Sequence, residues 1–253
     1  MKKFFAAVLL WLFAAPTLAA GPCILDNCAD QRPLPPPPGQ TYAPDQPEAQ
    51  PSRGYDRYQR RGGGPAGNFD FYVLSLSWSP SFCLEGGARR SPRQCAPGAN
   101  PGFVLHGLWP QDDNGYPSQC GRGSLPYSVV VRLGDPYPDP GLARHEWRKH
   151  GTCSGKSPSG YFADVRAARE KIVIPEPLRA PDRNLRLSPL DVQRAFIAAN
   201  PRLRPGMMTV TCRRGLLQEA RFCLSKDLRN FVACPDVVRE GCRSRSITAP
   251  AGR

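Results

Sequence analysis

Ten cysteines constrain this 253-residue chain more than any other feature. An even number of thiols becomes a disulfide framework only if the chain reaches an oxidising compartment. The start of the sequence points to that route. Met1-Lys2-Lys3 is a short positive start, Phe4 to Ala15 is almost unbroken apolar, and Pro16-Thr17-Leu18-Ala19-Ala20 closes the run with mostly small residues. This reads as a cleaved signal peptide over 1–20, because the run is too short to cross a bilayer. An uncleaved helical anchor is the alternative. Gly21-Pro22 separate the small residues from Cys23, which argues against a lipid anchor, and no later stretch is apolar and long enough to span a membrane. The expected location is periplasmic or secreted, with no membrane attachment after the leader is removed.

Residues 21–68 are expected to be a disordered tether. They contain Pro35-Pro36-Pro37-Pro38, scattered Gln and Arg, Gly62-Gly63-Gly64, and too few apolar side chains to bury. Tyr42, Tyr55 and Tyr58 stand among arginines in this stretch and are read as part of the tether. A folded domain is expected over 69–245 and a flexible tail over 246–253. From Asp70 to Trp78, Tyr72, Leu74, Leu76 and Trp78 alternate with Phe71, Val73, Ser75 and Ser77, which predicts a strand with one strongly apolar face. Phe103 to His106 predicts a second short strand, stopped by Gly107 and Pro110. Helices are predicted over 141–149 and 161–171. A third opens at Ser188-Pro189-Leu190-Asp191, where Ser188 can cap and Pro189 suits the first turn, and it ends near Asn200-Pro201. Met208–Cys212 and Leu216–Leu224 predict a hairpin around Arg213-Arg214-Gly215. The expected class is α+β, with a mainly antiparallel central sheet packed with helices and stabilised by disulfides.

The chain carries 34 Lys and Arg against 21 Asp and Glu, a net charge of +13, of which Lys2 and Lys3 leave with the leader. Such a balance favours polyanions, RNA among them, although a solvated arginine-rich surface has the same composition. The three histidines discriminate better. They fall in two segments, Phe103-Val104-Leu105-His106-Gly107-Leu108-Trp109-Pro110 and His145-Glu146-Trp147-Arg148-Lys149-His150-Gly151-Thr152-Cys153. At about 100° per helical residue, His145 lies near Lys149, and Glu146 near His150. Trp147 and Arg148 point elsewhere, and Trp147 is expected to anchor the helix in the core. A helical zinc motif needs histidines at i and i+4; here they are at i and i+5, with Lys149 beside any ion. A Cys–His nucleophile is disfavoured because Cys153 has partners enough to be oxidised.

The same set suits phosphoryl transfer on RNA, which brings its own nucleophile in the 2′-hydroxyl. Such a site needs a base, an acid and positive charge, and two imidazoles with Lys149 supply them. Those segments closely resemble the two active-site segments of the ribonuclease T2 family, in the family's order. Further similarity runs through Phe71 to Cys83, Asn114 to Cys120 and Val210 to Cys223, over about residues 69 to 242. The resemblance implies a metal- and cofactor-independent endoribonuclease of low base specificity that forms a 2′,3′-cyclic phosphate on single-stranded RNA and then hydrolyses it. By motif position, His106 and His150 are the acid–base pair, with the base of the first step left open. Glu146 and Lys149 stabilise the transition state and His145 holds phosphate. Trp109 matches a position near substrate, and a core tryptophan is the alternative. RNA is the expected partner and the chain is expected to act as a monomer. A basic binding protein that has lost catalysis would usually lack one of His106, Glu146, Lys149 or His150; all are present. A metallohydrolase is the third reading.

The cysteines fit this resemblance. Cys120 with Cys153 would fix the catalytic helix, and Cys83 with Cys95 pairs by proximity in the chain. Cys212 with Cys242 and Cys223 with Cys234 follow the nested order of similar proteins, and Cys23 with Cys28 remains. Bridges over such loops stabilise by roughly 2–4 kcal/mol each. Reduction is therefore expected to unfold the domain and abolish activity, measured by circular dichroism and RNA cleavage together. Full activity in excess reductant would refute it.

Overall fold

The computed structural model describes residues 60–62, 64–99, 102–133, 137 and 139–252. The expected leader, Cys23 with Cys28, and most of the expected tether lie outside the described residues. The strands are β1 (Arg60–Gly62), β2 (Phe71–Trp78), β3 (Phe103–Gln111), β4 (Tyr116–Ser118), β5 (Leu185–Leu187), β6 (Met208–Arg213), β7 (Leu216–Ser225) and β8 (Ile247–Ala249). The α-helices are α1 (Ser79–Leu84), α2 (Tyr127–Arg132), α3 (Pro140–Lys149), α4 (Pro158–Glu170), α5 (Pro189–Ala199) and α6 (Pro235–Arg239).

The six-stranded sheet runs β3-β2-β7-β8-β5, with β6 also on β7. Its pairings are antiparallel except for the single β7–β8 contact. The chain is thus α+β and disulfide-stabilised. Cross-strand partners point the same way, so the register divides the sheet into two faces. Tyr72, Leu74, Leu76 and Trp78 of β2 share one face with Ala220, Phe222 and Leu224 of β7, all at most 1 % exposed. Edge-on aromatic contacts carry this core from Trp78 through Phe103 and Phe196 to Phe222, with ring centroids 4.9, 5.5 and 5.1 Å apart. The opposite face is buried as well, by a smaller cluster of Phe71, Val73, Cys223, Cys234 and Val237.

Local signals hold where they are strongest. Ser188 and Asp191 form a reciprocal capping box at α5. Asp139 caps α3, its side chain accepting from the Gly141 amide at 2.6 Å. Arg214 and Gly215 both have positive φ, 50° and 76°, which fits the two-residue hairpin turn between β6 and β7.

Three expectations need correction. Gly107 and Pro110 do not end β3, which runs on to Gln111. It is an edge strand of the sheet, where proline is tolerated because one row of donors has no ladder partner. The end of the tether is not loose: β1 pairs in parallel with β4, Gly67 donates its amide to Cys153 O at 2.9 Å, and Lys226 Nζ donates to the carbonyls of Gly67 and Phe69. The segment 246–253 is not a flexible tail either. Ile247–Ala249 forms β8 against β5, Ile247 and Ala249 are buried, and the Trp78 indole donates to Pro250 O at 3.0 Å.

Among the described residues the bridges are Cys83–Cys95, Cys120–Cys153, Cys212–Cys242 and Cys223–Cys234, each an expected pairing. Removing residues 246–253 should strand the buried Trp78 indole and expose the ground under Ile247. An orphaned buried donor costs about 1–3 kcal/mol and a buried Ile side chain about as much. Thermal denaturation should show a melting temperature lower by roughly 6–12 °C; an unchanged value would restore the loose tail.

Candidate active site

A register shift in β3 builds one wall of the site. Ser75 pairs with Gly107 and Leu76 with Leu105, so His106 is the extra residue of a β-bulge. A bulge resets the alternation of its strand. Leu105 and Leu108, three apart, both enter the core, at 2 % and 0 % exposure, while His106 and Trp109 both reach the opposite face. That face of β7 brings Glu219 and Arg221.

Helix α3 supplies the other wall. Trp147 is buried, and its indole donates to Gly123 O at 2.9 Å. With Trp147 turned inward, His145, Glu146, Lys149 and His150 all line a cleft of about 400 Å³ together with His106, Trp109, Glu219 and Arg221. The end of α3 is fixed twice: Gln119 donates its amide to Lys149 O at 2.9 Å, and the Cys120–Cys153 bridge follows at once.

Glu146 is 1 % exposed. Its Oε2 accepts from the Trp109 indole at 2.7 Å, and its Oε1 stands 3.7 Å from His106 Nε2. A Cβ on Gly107 would overlap the Glu146 carboxyl and Trp109 Nε1. The glycine therefore serves the close approach of helix to strand. Burial pushes the Glu146 carboxyl up to about 7, against the pull of His106, Trp109 and Lys149. The Trp109 ring stacks on His150, centroids 5.3 Å apart.

The two imidazoles sit in opposite settings. Burial pulls the His106 imidazolium down, but the charge and hydrogen bond of Glu219, then Glu146, outweigh it, and the net shift is upward. His150 is driven well down, by burial first and then by the charges of Lys149, His106 and His145. Its Nδ1 is buried without a hydrogen-bond partner, which further disfavours a second ring proton. The structure thus gathers every expected site residue into one cleft, Trp109 included.

Sequence reasoning missed Glu219 and Arg221. A signal existed: two charges spaced i and i+2 in an otherwise buried strand occupy one face. Among the described residues, no three His, Cys, Asp or Glu side chains are grouped to hold a metal ion.

Comparison with known proteins bears on this cleft. The sequence model of the Ribonuclease T2 family matches residues 69–234, more than half of the chain. A ribonuclease from Aeromonas hydrophila is 38% identical over 179 residues, covering 70% of this chain and 81% of that protein. Ribonuclease DdI from Dictyostelium discoideum is 29% identical over 208 residues, 73% of this chain and 86% of that one. In fold, the RNase-related protein from Calystegia sepium superposes with a TM-score of 0.60 at 21% identity, covering 73% of this chain and 98% of its own. RNase NT in complex with 5′-AMP gives 0.56 at 24% identity, covering 73% and 99%.

The electrostatics set a stability profile. Glu146 binds its proton more tightly folded, about 7, than at its ordinary 4.5, so its contribution falls as pH rises through that window. His106, raised above 6.5, adds stability that is complete below 6.5 and is lost as pH rises through its folded value. Both terms lower stability toward alkaline pH. Glu146→Gln removes the first, worth at most about 3 kcal/mol at pH 8. Its melting temperature should fall less between pH 5 and pH 8 than that of the unaltered protein, while RNA cleavage drops. Parallel pH profiles would show that Glu146 carries no such penalty.

Proposed function

Because the chain belongs to the ribonuclease T2 family, and so is an enzyme of the T2 type, we propose that it cleaves single-stranded RNA endonucleolytically without a metal, through a 2′,3′-cyclic phosphate. The observation that carries this reading is the pair of imidazoles held in opposite electrostatic settings in one cleft. A base must be free of its proton and an acid must keep one near the same pH. His150, driven toward neutrality, takes the proton from the 2′-hydroxyl. The 2′-oxygen then bonds to phosphorus as the bond from phosphorus to the 5′-oxygen breaks. His106, held charged, gives its Nε2 proton to the departing 5′-oxygen.

Hydrolysis of the cyclic phosphate runs the roles in reverse, with water losing its proton to His106. Lys149 stands where negative charge gathers on the pentacoordinate phosphate, an effect worth about 10²- to 10³-fold. His145 lines the same cleft and is assigned to hold phosphate. Glu146, near 7, donates or accepts a hydrogen bond at the phosphoryl oxygens as its protonation allows. A metal has no place in this scheme. The carboxylates are already engaged by Trp109, His106 and Arg221, and Lys149 adds a positive charge.

Low base specificity follows the family resemblance, and the solved complex of RNase NT with 5′-AMP supports nucleotides as the ligand class. We place the protein in the periplasm or outside the cell, acting as a monomer. The four bridges among the described residues support an oxidising compartment, and no described helix is long and apolar enough to cross a membrane.

The test uses the oxidised protein in excess EDTA with a short RNA and its twin carrying one 2′-deoxy substitution. Cleavage that spares the deoxy site and leaves a cyclic phosphate is expected. Restoration of cutting only by added zinc or magnesium would overturn the metal-free mechanism. His106→Ala and His150→Ala should each remove all but about 10⁻² to 10⁻⁴ of the rate with folding intact; rates like those of the unaltered protein would remove the acid–base pair.

A further inference from the structure

The proposed chemistry leaves one partly buried ion pair of the cleft without a task. Glu219 and Arg221 stand two residues apart on the cleft face of β7. Glu219 is 9 % exposed. Its Oε1 lies 2.5 Å from His106 Nδ1, and its Oε2 accepts from Arg221 Nε and Nη2 at 2.9 and 2.7 Å. Arg221 is itself held, 5.2 Å over the Trp109 ring and 3.8 Å from Glu240. Desolvating such a pair costs about as much as its attraction returns, so stability alone gives it little reason.

Resting on the assignment of His106 as the acid, we propose that Glu219, locked by Arg221, is a positioning residue: it accepts the His106 Nδ1–H, aims Nε2 at the leaving oxygen and keeps the ring protonated until the proton is given. A carboxylate so firmly ionised offers no proton, so the ring nitrogen must be the donor. Arg221 and His106 outweigh burial and hold the Glu219 carboxyl well below the usual carboxylate range.

Other charged groups face His106 as well. From α3 come Glu146, 3.7 Å from Nε2, then Lys149, His145 and His150 on the same cleft. From β7 come Glu219 and Arg221. Burial raises the Glu146 carboxyl to about 7, so its charge changes between pH 5 and pH 8. From the end of α6, Glu240 lines the same cleft but stands against Arg221, 3.8 Å away. Glu219 stays charged throughout and is the carboxylate within hydrogen-bond reach of His106 Nδ1.

Two variants of the oxidised protein test this, Glu219→Gln and Arg221→Gln. His106 is followed by NMR titration, and kcat for a short RNA is measured against pH. In Glu219→Gln the His106 titration should move down by about one pH unit or more. The alkaline limb of kcat should move with it, a loss of about tenfold at pH 8 and little at pH 5. In Arg221→Gln the carboxylate remains, so His106 should titrate at or above its original pH while kcat falls a few-fold at every pH. An unmoved His106 titration in Glu219→Gln overturns the proposal, as does a uniform rate loss with fixed pH limits in both variants. If the titration falls but the alkaline limb stays, the Glu219–His106 coupling stands and the acid assignment of His106 is what fails.

Discussion

One extra residue in β3 governs how the two faces of the sheet share the strand. Strict alternation would send Leu108 away from the core and turn Trp109 into it. The bulge at His106 lets Leu105 and Leu108 both pack inward and gives His106 and Trp109 to the cleft. The core beneath the site is thus kept, and two functional side chains arrive together. Gly107 completes the arrangement, because only a residue without a Cβ admits the Glu146 carboxyl so close to the strand.

Around that bulge the site is a balance of burial against charge. Glu146, His150 and Glu219 are withdrawn from water, and the neighbours of each decide what burial does to it. Glu219 has Arg221 and His106 and stays ionised. Glu146 has weaker compensation and hovers between forms. His150 has an aromatic ring on one side and positive charges nearby, and loses its proton. The cost of burial is plainest at Glu146, where a carboxyl is kept in a place that would suit a neutral side chain better.

The cleft face of α3 was legible in the sequence because a helix has a fixed period, and the spacing of His145, Glu146, Lys149 and His150 needs nothing else. His106 and Trp109 came from motif resemblance. Their strand reads short because Gly107 and Pro110 look like breakers, and the bulge removes the alternation that would have carried it on to Gln111. Glu219 and Arg221 were hidden differently: their i, i+2 spacing marks one face of β7, but that this face meets His106 depends on the pairing of β7 with β2 and of β2 with β3, which no local pattern records. The same holds for Ile247–Ala249, too short to show alternation, and for Arg60–Gly62, whose pairing with β4 uses backbone groups common to every residue. Long-range pairing, more than propensity, is what the sequence left unread.

The bond from Trp78 to Pro250 spans 172 residues. Synthesis from the N-terminal side presents β2 long before β8 follows. Until residue 250 emerges, the indole has no carbonyl to meet and the core face at that end is open. This end of the fold therefore closes only once nearly the whole chain has been made, and the last residues added complete the surroundings of the first long strand.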